Sequence, residues 1–181
     1  KELRDQDILD ETLVIFLSDN GRPFPRDKTS LYDSGIRTPF IVRYPPVVKA
    51  GSVCDRLISA VDIAPTLLEI AGAHGGNTFD GVSFSRLLGT PRGLPVRSYA
   101  FAEKNWHDYE DHSRAVRGEK FKYIRNYYDD LPATPPADAV RGVTYKALCK
   151  LHESADLSTT EGQLFWDPRP IEELYDCSGD P

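Results

Sequence analysis

Three groups of side chains in this 181-residue sequence have the types and spacing to do chemistry. Asp19 and Asn20 stand side by side in Ser18-Asp19-Asn20-Gly21. A carboxylate next to an amide oxygen offers two hard oxygen donors, which suit Ca2+ or Mg2+ rather than zinc. Two donors do not complete a site, so the remaining ligands must come from elsewhere. The same four residues also read as a plain Asn-Gly turn. Lys28, or Arg26 just before it, places a cation in the same loop. A cation beside a divalent metal is what a transferring sulfuryl or phosphoryl group requires, because charge on its oxygens must be balanced. The plainer reading is a solvated loop cation. Asn105-Trp106-His107 combines an aromatic face with two hydrogen-bonding groups. That set can stack on and hydrogen-bond a sugar ring, or pack as a Trp with a His at its rim. The sequence contains no arrangement resembling a Ser/His/Asp triad, a P-loop or a Gly-rich dinucleotide fingerprint.

The elements that must hold these groups follow from the patterning. Lys1–Glu11 is polar and reads as the tail of a helix. The run 12–17, Thr-Leu-Val-Ile-Phe-Leu, is apolar or β-branched without alternation, which fits a strand buried on both faces, as in a parallel sheet under helices. It ends at Ser18–Gly21, a turn signal, so Asp19 and Asn20 sit just past the carboxyl end of a strand, the edge where open α/β sheets bind ligands. Residues 22–38 form a Pro-containing loop, and 39–44 a second strand ended by Pro45-Pro46. Residues 62–72 predict a short helix, with Asp62 at its N-cap, Pro65 in its first turn and Gly72 at its left-handed end. A turn and short helix follow over 80–89. The Pro/Gly stretch 89–95 marks a linker. Beyond it come a strand at 97–103, a hairpin of 113–117 with 120–126 about Gly118-Glu119, a helix near 142–154 and a last strand or turn at 172–176. Phe121, Tyr123 and Arg125 share one face of the hairpin's second strand, with Lys122, Ile124 and Asn126 on the other. The chain divides near residue 92 into the end of an α/β domain, residues 1–92, and a small antiparallel α+β subdomain, residues 93–181.

Composition narrows the partners. Hydrophobic residues are 40% and charged residues 28%, an ordinary globular balance. Twenty-two Lys and Arg against 28 Asp and Glu leave a net charge of −6, which disfavours nucleic acid as a partner. No apolar run is long enough to span a membrane, and the charged opening Lys-Glu-Leu-Arg-Asp-Gln-Asp does not read as a signal peptide. The absence of Met is the mark expected of a piece of a longer or processed protein. Cys54, Cys149 and Cys177 form no C-x-x-C pair and read as buried thiols, with a Cys149–Cys177 bridge open in an oxidising compartment. His74 reads as a loop residue, and His112 and His152 as surface residues.

Taken together, these segments resemble the C-terminal part of a sulfatase of the alkaline-phosphatase-like superfamily. The matching run is TLVIFLSDNGRPFPRDKTSLYDSGIRTPFIVRYP, a strand, S-D-N-G, a lysine-bearing loop and a Y-x-x-G-x-R-x-P-F strand entry. SAVDIAPTLLEIAG and DGVSFSRLL continue it in order, and RAVRGEKFKYIRN and EELYDCSGDP resemble the family's C-terminal subdomain. The G-x-P-F-P insert, the Asn-Trp-His trio and LFWDPRPIEELYD resemble the heparan N-sulfatase (N-sulfoglucosamine sulfohydrolase) branch.

The resemblance implies a fold, the C-terminal part of an alkaline-phosphatase-like α/β sandwich domain plus the small subdomain. It implies that Asp19 and Asn20 are calcium ligands, with Mg2+ the lesser alternative. It implies that Lys28, with Arg26 as alternative, contacts sulfate, and that Asn105, Trp106 and His107 contact a sulfated sugar. The family's nucleophile, a formylglycine made from the Cys of C-x-P-S/A-R, is expected in an upstream part of the parent, because Cys54, Cys149 and Cys177 lie outside such a motif. The implied activity is hydrolysis of a sulfate ester or sulfamate in glycosaminoglycan degradation. The alternatives are a phosphonate or phosphate monoester hydrolase of the same superfamily and a non-catalytic glycan-binding or structural domain. The implied partners are a sulfated saccharide, the rest of the parent chain and a second copy in a homo-oligomer. The implied location is extracytoplasmic: periplasmic, lysosomal or secreted.

Overall fold

A computed structural model describes residues 1–73 and 78–179; His74 lies outside the described residues. In chain order the elements are α1 (Glu2–Asp5), β1 (Val14–Leu17), α2 (Asp33–Ile36), β2 (Phe40–Arg43), α3 (Ile63–Ile70), α4 (Ser85–Gly89), β3 (Ala100–Trp106), β4 (Glu110–Arg117), β5 (Phe121–Asn126), α5 (Ala137–Val140), α6 (Val143–Glu153), α7 (Thr159–Gly162) and β6 (Glu172–Asp176). They form two compact units, each assembled from two stretches of chain: Lys1–Leu17 with Pro39–Ala100, and Ser18–Thr38 with Phe101–Pro181. Packing therefore differs from a sequential break near residue 92, because loop 18–38 folds with the C-terminal strands.

In the first unit β1 and β2 pair antiparallel, with Phe16 opposite Ile41 and Ile15 opposite Val42. The pairing seen is thus antiparallel, where the unbroken apolar run suggests a parallel sheet. Phe16 is 64% exposed and Ile41 60%, and an apolar run without alternation specifies neither strand direction nor what covers it. The helix expected over 62–72 is α3, and Gly72 takes the left-handed end, φ +64°. Asp62 does not cap α3 through its side chain. Its fully buried carboxylate instead accepts from the backbone N–H of Ser59 and of Val82, each at 2.8 Å, and from Arg97, whose Nε lies 2.8 Å away. This three-way acceptance satisfies a charge that would otherwise be costly to bury. It also explains why the strand expected at 97–103 starts only at Ala100, since Arg97 is held at Asp62. Phe84 and Leu87, both nearly fully buried, form the apolar centre, and Phe40 meets Phe84 edge to face with centroids 5.8 Å apart.

In the second unit the sheet order is β3-β4-β5-β6. The hairpin expected about Gly118-Glu119 is β4–β5, antiparallel with Ala115 opposite Ile124, and β6 adds antiparallel to β5 with Glu173 opposite Ile124. Leu31, from the loop after β1, packs into this sheet with Ala115 and Ile124. Next to it Lys122, only 2% exposed, donates to the Leu31 carbonyl at 3.0 Å and pairs with Asp33, which also meets Arg117 at 3.3 Å. Tyr32 donates to Glu173 Oε2 at 3.1 Å, and Asn126 Nδ2 to Glu173 Oε1 at 2.8 Å. Three consecutive residues, Leu31, Tyr32 and Asp33, are thus fastened to β4, β5 and β6 by one apolar and several polar contacts. Burial pushes the Tyr32 hydroxyl up to about 12.

The three thiols are unbridged, and Cys54 is exposed rather than buried. His112 is not a free surface residue, because its ring stacks on Tyr127 at 4.2 Å. His152 is exposed and stacks on Phe165 at 4.4 Å.

Candidate functional site

Asp19 and Asn20 lie in the loop that leaves β1. Two glycines set that loop's path. The Gly21 N–H donates to the Gly35 carbonyl at 3.1 Å, and a Cβ on Gly21 would sit 2.5 Å from the Ser34 carbonyl oxygen. A Cβ on Gly35 would sit 2.3 Å from the Asp27 carbonyl and 2.4 Å from that of Ser30. Any side chain at either position would force the loop apart. The glycines of S-D-N-G and Y-x-x-G are therefore a matched pair that folds 18–36 upon itself.

Within that fold Ser18 Oγ donates to the Asn20 carbonyl at 2.9 Å, and Asn20 Nδ2 donates to the Gly21 carbonyl at 2.6 Å. With the amide nitrogen so used, Oδ1 of Asn20 remains as an oxygen donor beside the exposed Asp19 carboxylate. These are hard oxygens of the kind Ca2+ takes. Among the described residues there is no group of three or more His, Cys, Asp or Glu able to hold a metal. Asp19 and Asn20 therefore fit a calcium site as two of its 6–8 ligands, not as a whole one.

The loop continues through Arg22, whose Nε meets Asp27 at 3.0 Å, to Lys28. Lys28 Nζ donates to Asp138 Oδ2 at 2.7 Å. That hydrogen bond holds its ammonium above the usual lysine value against a small burial effect, and the fields of Asp138, Asp108 and Asp19 act the same way. Thr29, immediately after, has φ +65°, a left-handed conformation that a β-branched residue adopts only under constraint. Ser30 supplies part of that constraint by donating to the carbonyls of Arg26 and Asp27 at 2.6 and 2.9 Å. Arg26 takes a different course. Its guanidinium lies 4.3 Å over the Tyr32 ring and donates to the Thr160 carbonyl at 3.4 Å.

Asn105 and Trp106 end β3, and His107 opens the turn to β4. Trp106 is 67% exposed. His107 Nδ1 lies 3.3 Å from Asp108 Oδ2, and the same carboxylate oxygen accepts the Ala137 N–H at 2.5 Å. The Ala137 bond holds the Asp108 carboxyl below its usual range, with a further contribution from His107. Ala137 is the neighbour of Asp138, so Asp108 ties the turn holding His107 to the segment that binds Lys28. Lys28 also lines an open cleft together with Arg26, Lys104, Asp111, Trp166 and Arg169.

Sequence reasoning missed Asp108, Asp138 and the buried cluster in which Asp111 meets Lys104 at 2.8 Å and Arg169 through both carboxylate oxygens. Burial alone would raise the Asp111 carboxyl, but hydrogen bonds from Arg169 and Lys104 hold it below its usual range. A signal for such clusters was present. Lys122 and Asn126 share the inward face of β5 with Ile124, and charge at inward strand positions needs a buried partner.

Residues 24–134 match the model of the family described as N-sulphoglucosamine sulphohydrolase, C-terminal. The chain belongs to that family. The matched span includes Lys28, Asn105, Trp106 and His107 and begins just after Asn20. The chain is 39% identical over 183 residues to an ulvan-active sulfatase of Formosa agariphila, covering all of this chain and 30% of that protein. It is 30% identical over 198 residues to the N-sulphoglucosamine sulphohydrolase of Homo sapiens, covering all of this chain and 38% of that one. The chain thus spans about a third of the length of the curated relatives it matches. Among solved structures, it is similar to a protein in complex with its substrate D-glucosamine-2-N,6-O-disulfate, with TM-score 0.63, 24% identity, and coverage of 84% of this chain and 35% of that one. It is also similar to a phosphonate monoester hydrolase of Silicibacter pomeroyi, with TM-score 0.57, 20% identity, and coverage of 90% and 38%. These likenesses establish the fold, the C-terminal portion of the alkaline-phosphatase-like sulfatases.

Proposed function

We propose that the parent protein is a sulfatase that removes sulfate from a sulfated sugar such as N-sulfoglucosamine, and that this chain supplies one wall of its active site. The observation that carries the reading is one loop, 18–36, which holds two hard oxygen donors and a lysine, with that lysine in the fields of both Asp19 and Asp108.

In this reading Asp19 and Asn20 are two of the ligands of Ca2+, which when bound supplies positive charge for the sulfate oxygens. Lys28 sets a second positive charge against the same group. Because its donor is already oriented by Asp138, little reorganisation is needed as charge builds on oxygen. Lys28 rather than Arg26 has this role, because the Arg26 guanidinium is committed to the Tyr32 ring and the Thr160 carbonyl. Trp106 offers its exposed face to the sugar, and Asn105 and His107 offer hydrogen bonds. No helix of the described residues is long and apolar enough to cross a membrane. We place the parent outside the cytoplasm, where sulfated glycans are met.

The test uses the parent protein. Asp19→Ala is expected to abolish calcium binding, read by calorimetry, and nearly all sulfate release, with melting in chelator barely changed. Near-normal turnover would return Asp19 to an ordinary turn. His107→Ala is expected to weaken turnover of glucosamine N-sulfate more than that of a small aryl sulfate; equal losses would remove His107 from the sugar site. Residues 1–181 alone are expected to release no sulfate, since the chain contains no C-x-P-S/A-R nucleophile motif.

A further inference from the structure

Lys28 and His107 stand 79 positions apart in sequence, yet two carboxylates link them. His107 Nδ1 is 3.3 Å from Asp108 Oδ2, that oxygen accepts the Ala137 N–H at 2.5 Å, and the next residue, Asp138, accepts from Lys28 Nζ at 2.7 Å. Asp138 also accepts the Ala139 N–H through Oδ1 at 2.9 Å, so both of its oxygens are engaged and the carboxylate plane is fixed. The Lys28 side chain is 23% exposed and that of Asp138 49%. An ion pair that open to water contributes little to stability, because solvent screens it and two long side chains lose freedom in making it. Its geometric effect is larger. A lysine side chain has four rotatable bonds, and an ammonium without a fixed partner samples many positions. Thr29, held at φ +65° directly after Lys28, fixes the backbone end of the same side chain.

We propose that Asp138 is a positioning residue for Lys28: it aims the ammonium at the sulfate, and Asp108, through the Ala137 amide, holds Asp138 in register with the turn that carries His107. This rests on the reading of Lys28 as the sulfate-facing cation. Asp138 itself touches no reacting atom, so its removal misaims a catalytic charge instead of deleting it.

The experiment is a double-mutant cycle in the full-length parent, assayed with glucosamine N-sulfate. Asp138→Asn keeps the shape and removes the charge. It is expected to lower kcat/KM on the order of 10- to 100-fold, mostly in kcat, with the melting temperature unchanged. Asp138→Glu, which restores a carboxylate at a slightly different reach, is expected to recover part of the loss. Lys28→Ala combined with Asp138→Asn is expected to be no worse than Lys28→Ala alone, because a residue that acts only through Lys28 has nothing left to act on. Multiplying losses in the double variant would overturn the proposal, as would an Asp138→Asn enzyme with normal kcat. A Lys28→Ala enzyme with normal kcat/KM would overturn the reading of Lys28 as well. An impaired Lys28→Ala beside a normal Asp138→Asn would overturn the positioning role alone.

Discussion

The two sheets put their charge in opposite places. The β1–β2 pair is apolar along nearly its whole length and leaves that surface open, with Phe16 and Ile41 facing each other across the pair at 64% and 60% exposure. The β3–β6 sheet buries its charge. Asp111 and Lys122 point inward with exposures of 5% and 2%, each paired with residues from outside its own strand. For stability alone, buried ion pairs are seldom better than well-packed apolar side chains of the same volume. What the buried charges accomplish is attachment. Lys122 and Arg117 hold Asp33 and so tie the loop carrying Asp19, Asn20 and Lys28 to the sheet. Arg169 and Lys104 hold Asp111, close in sequence to the turn between β3 and β4 that carries His107. In the first unit the comparable feature among the described residues, Asp62 with Arg97, joins a helix start to the end of that unit. At Asp33, Asp62 and Asp111 buried charge marks where a distant segment is fastened.

The largest expected effect breaks a fastening. Lys122→Met in the parent removes one member of a buried pair and leaves Asp33 with Arg117 alone. A loss of about 3–5 kcal/mol is expected in urea unfolding. Turnover should fall with it even where the protein remains folded, because the Lys28 loop loses its anchor. A Lys122→Met protein with normal stability would mean that Arg117 suffices, and the contrast between the sheets would lose its main support.

How far this was legible in the sequence depends on whether a feature is local. The S-D-N-G turn, the hairpin about Gly118-Glu119, the helix ended by Gly72 and the face shared by Lys122, Ile124 and Asn126 all follow from neighbours in sequence, and the chain folds accordingly. The pairing direction of β1 and β2 was not legible, because an unbroken apolar run looks the same in either sheet type. Nor was the joining of loop 18–38 to strands a hundred residues away, because it depends on long-range partners such as Asp33 with Lys122. The same limit hid Asp108 and Asp138. Each is unremarkable in its own segment and gains meaning only from what it meets. Asp62 shows the converse error: its carboxylate caps the turn at 60–62, through the Ser59 N–H, rather than α3, and also takes Arg97.

A second, intermediate effect reads the other buried cluster through pH. Arg169 and Lys104 hold the Asp111 carboxyl below its usual range despite burial. A carboxylate with a depressed folded pKa contributes stability above its unfolded value, about 3.9, and loses it as pH falls toward the folded value. The parent is therefore expected to lose stability steeply below about pH 4. Asp111→Asn should be less stable at neutral pH yet show a shallower acid dependence, measured as melting temperature from pH 2.5 to 7. Parallel curves for the two proteins would mean that Asp111 does not report the buried pair.

The smallest effect on stability comes from the exposed sheet, and it is the sharpest test of the contrast. Phe16 and Ile41 face each other on β1 and β2 but are mostly in contact with water. A cross-strand pair of this kind is worth no more than about 1 kcal/mol, so Phe16→Thr with Ile41→Thr should change unfolding of the 181-residue chain by that amount or less. Its association should change far more. An exposed apolar strand with open edge groups is a template for pairing with another chain. Light scattering on residues 1–181 is expected to show concentration-dependent self-association that the double substitution suppresses, with both threonines retaining good strand propensity. Two results would place the exposed surface elsewhere: a monodisperse wild-type chain, or a double variant that associates as before. A large loss of stability in that variant would instead show that β1 and β2 carry more of the unit's packing than their exposure indicates, and the opposition between an open apolar sheet and a closed charged one would fail.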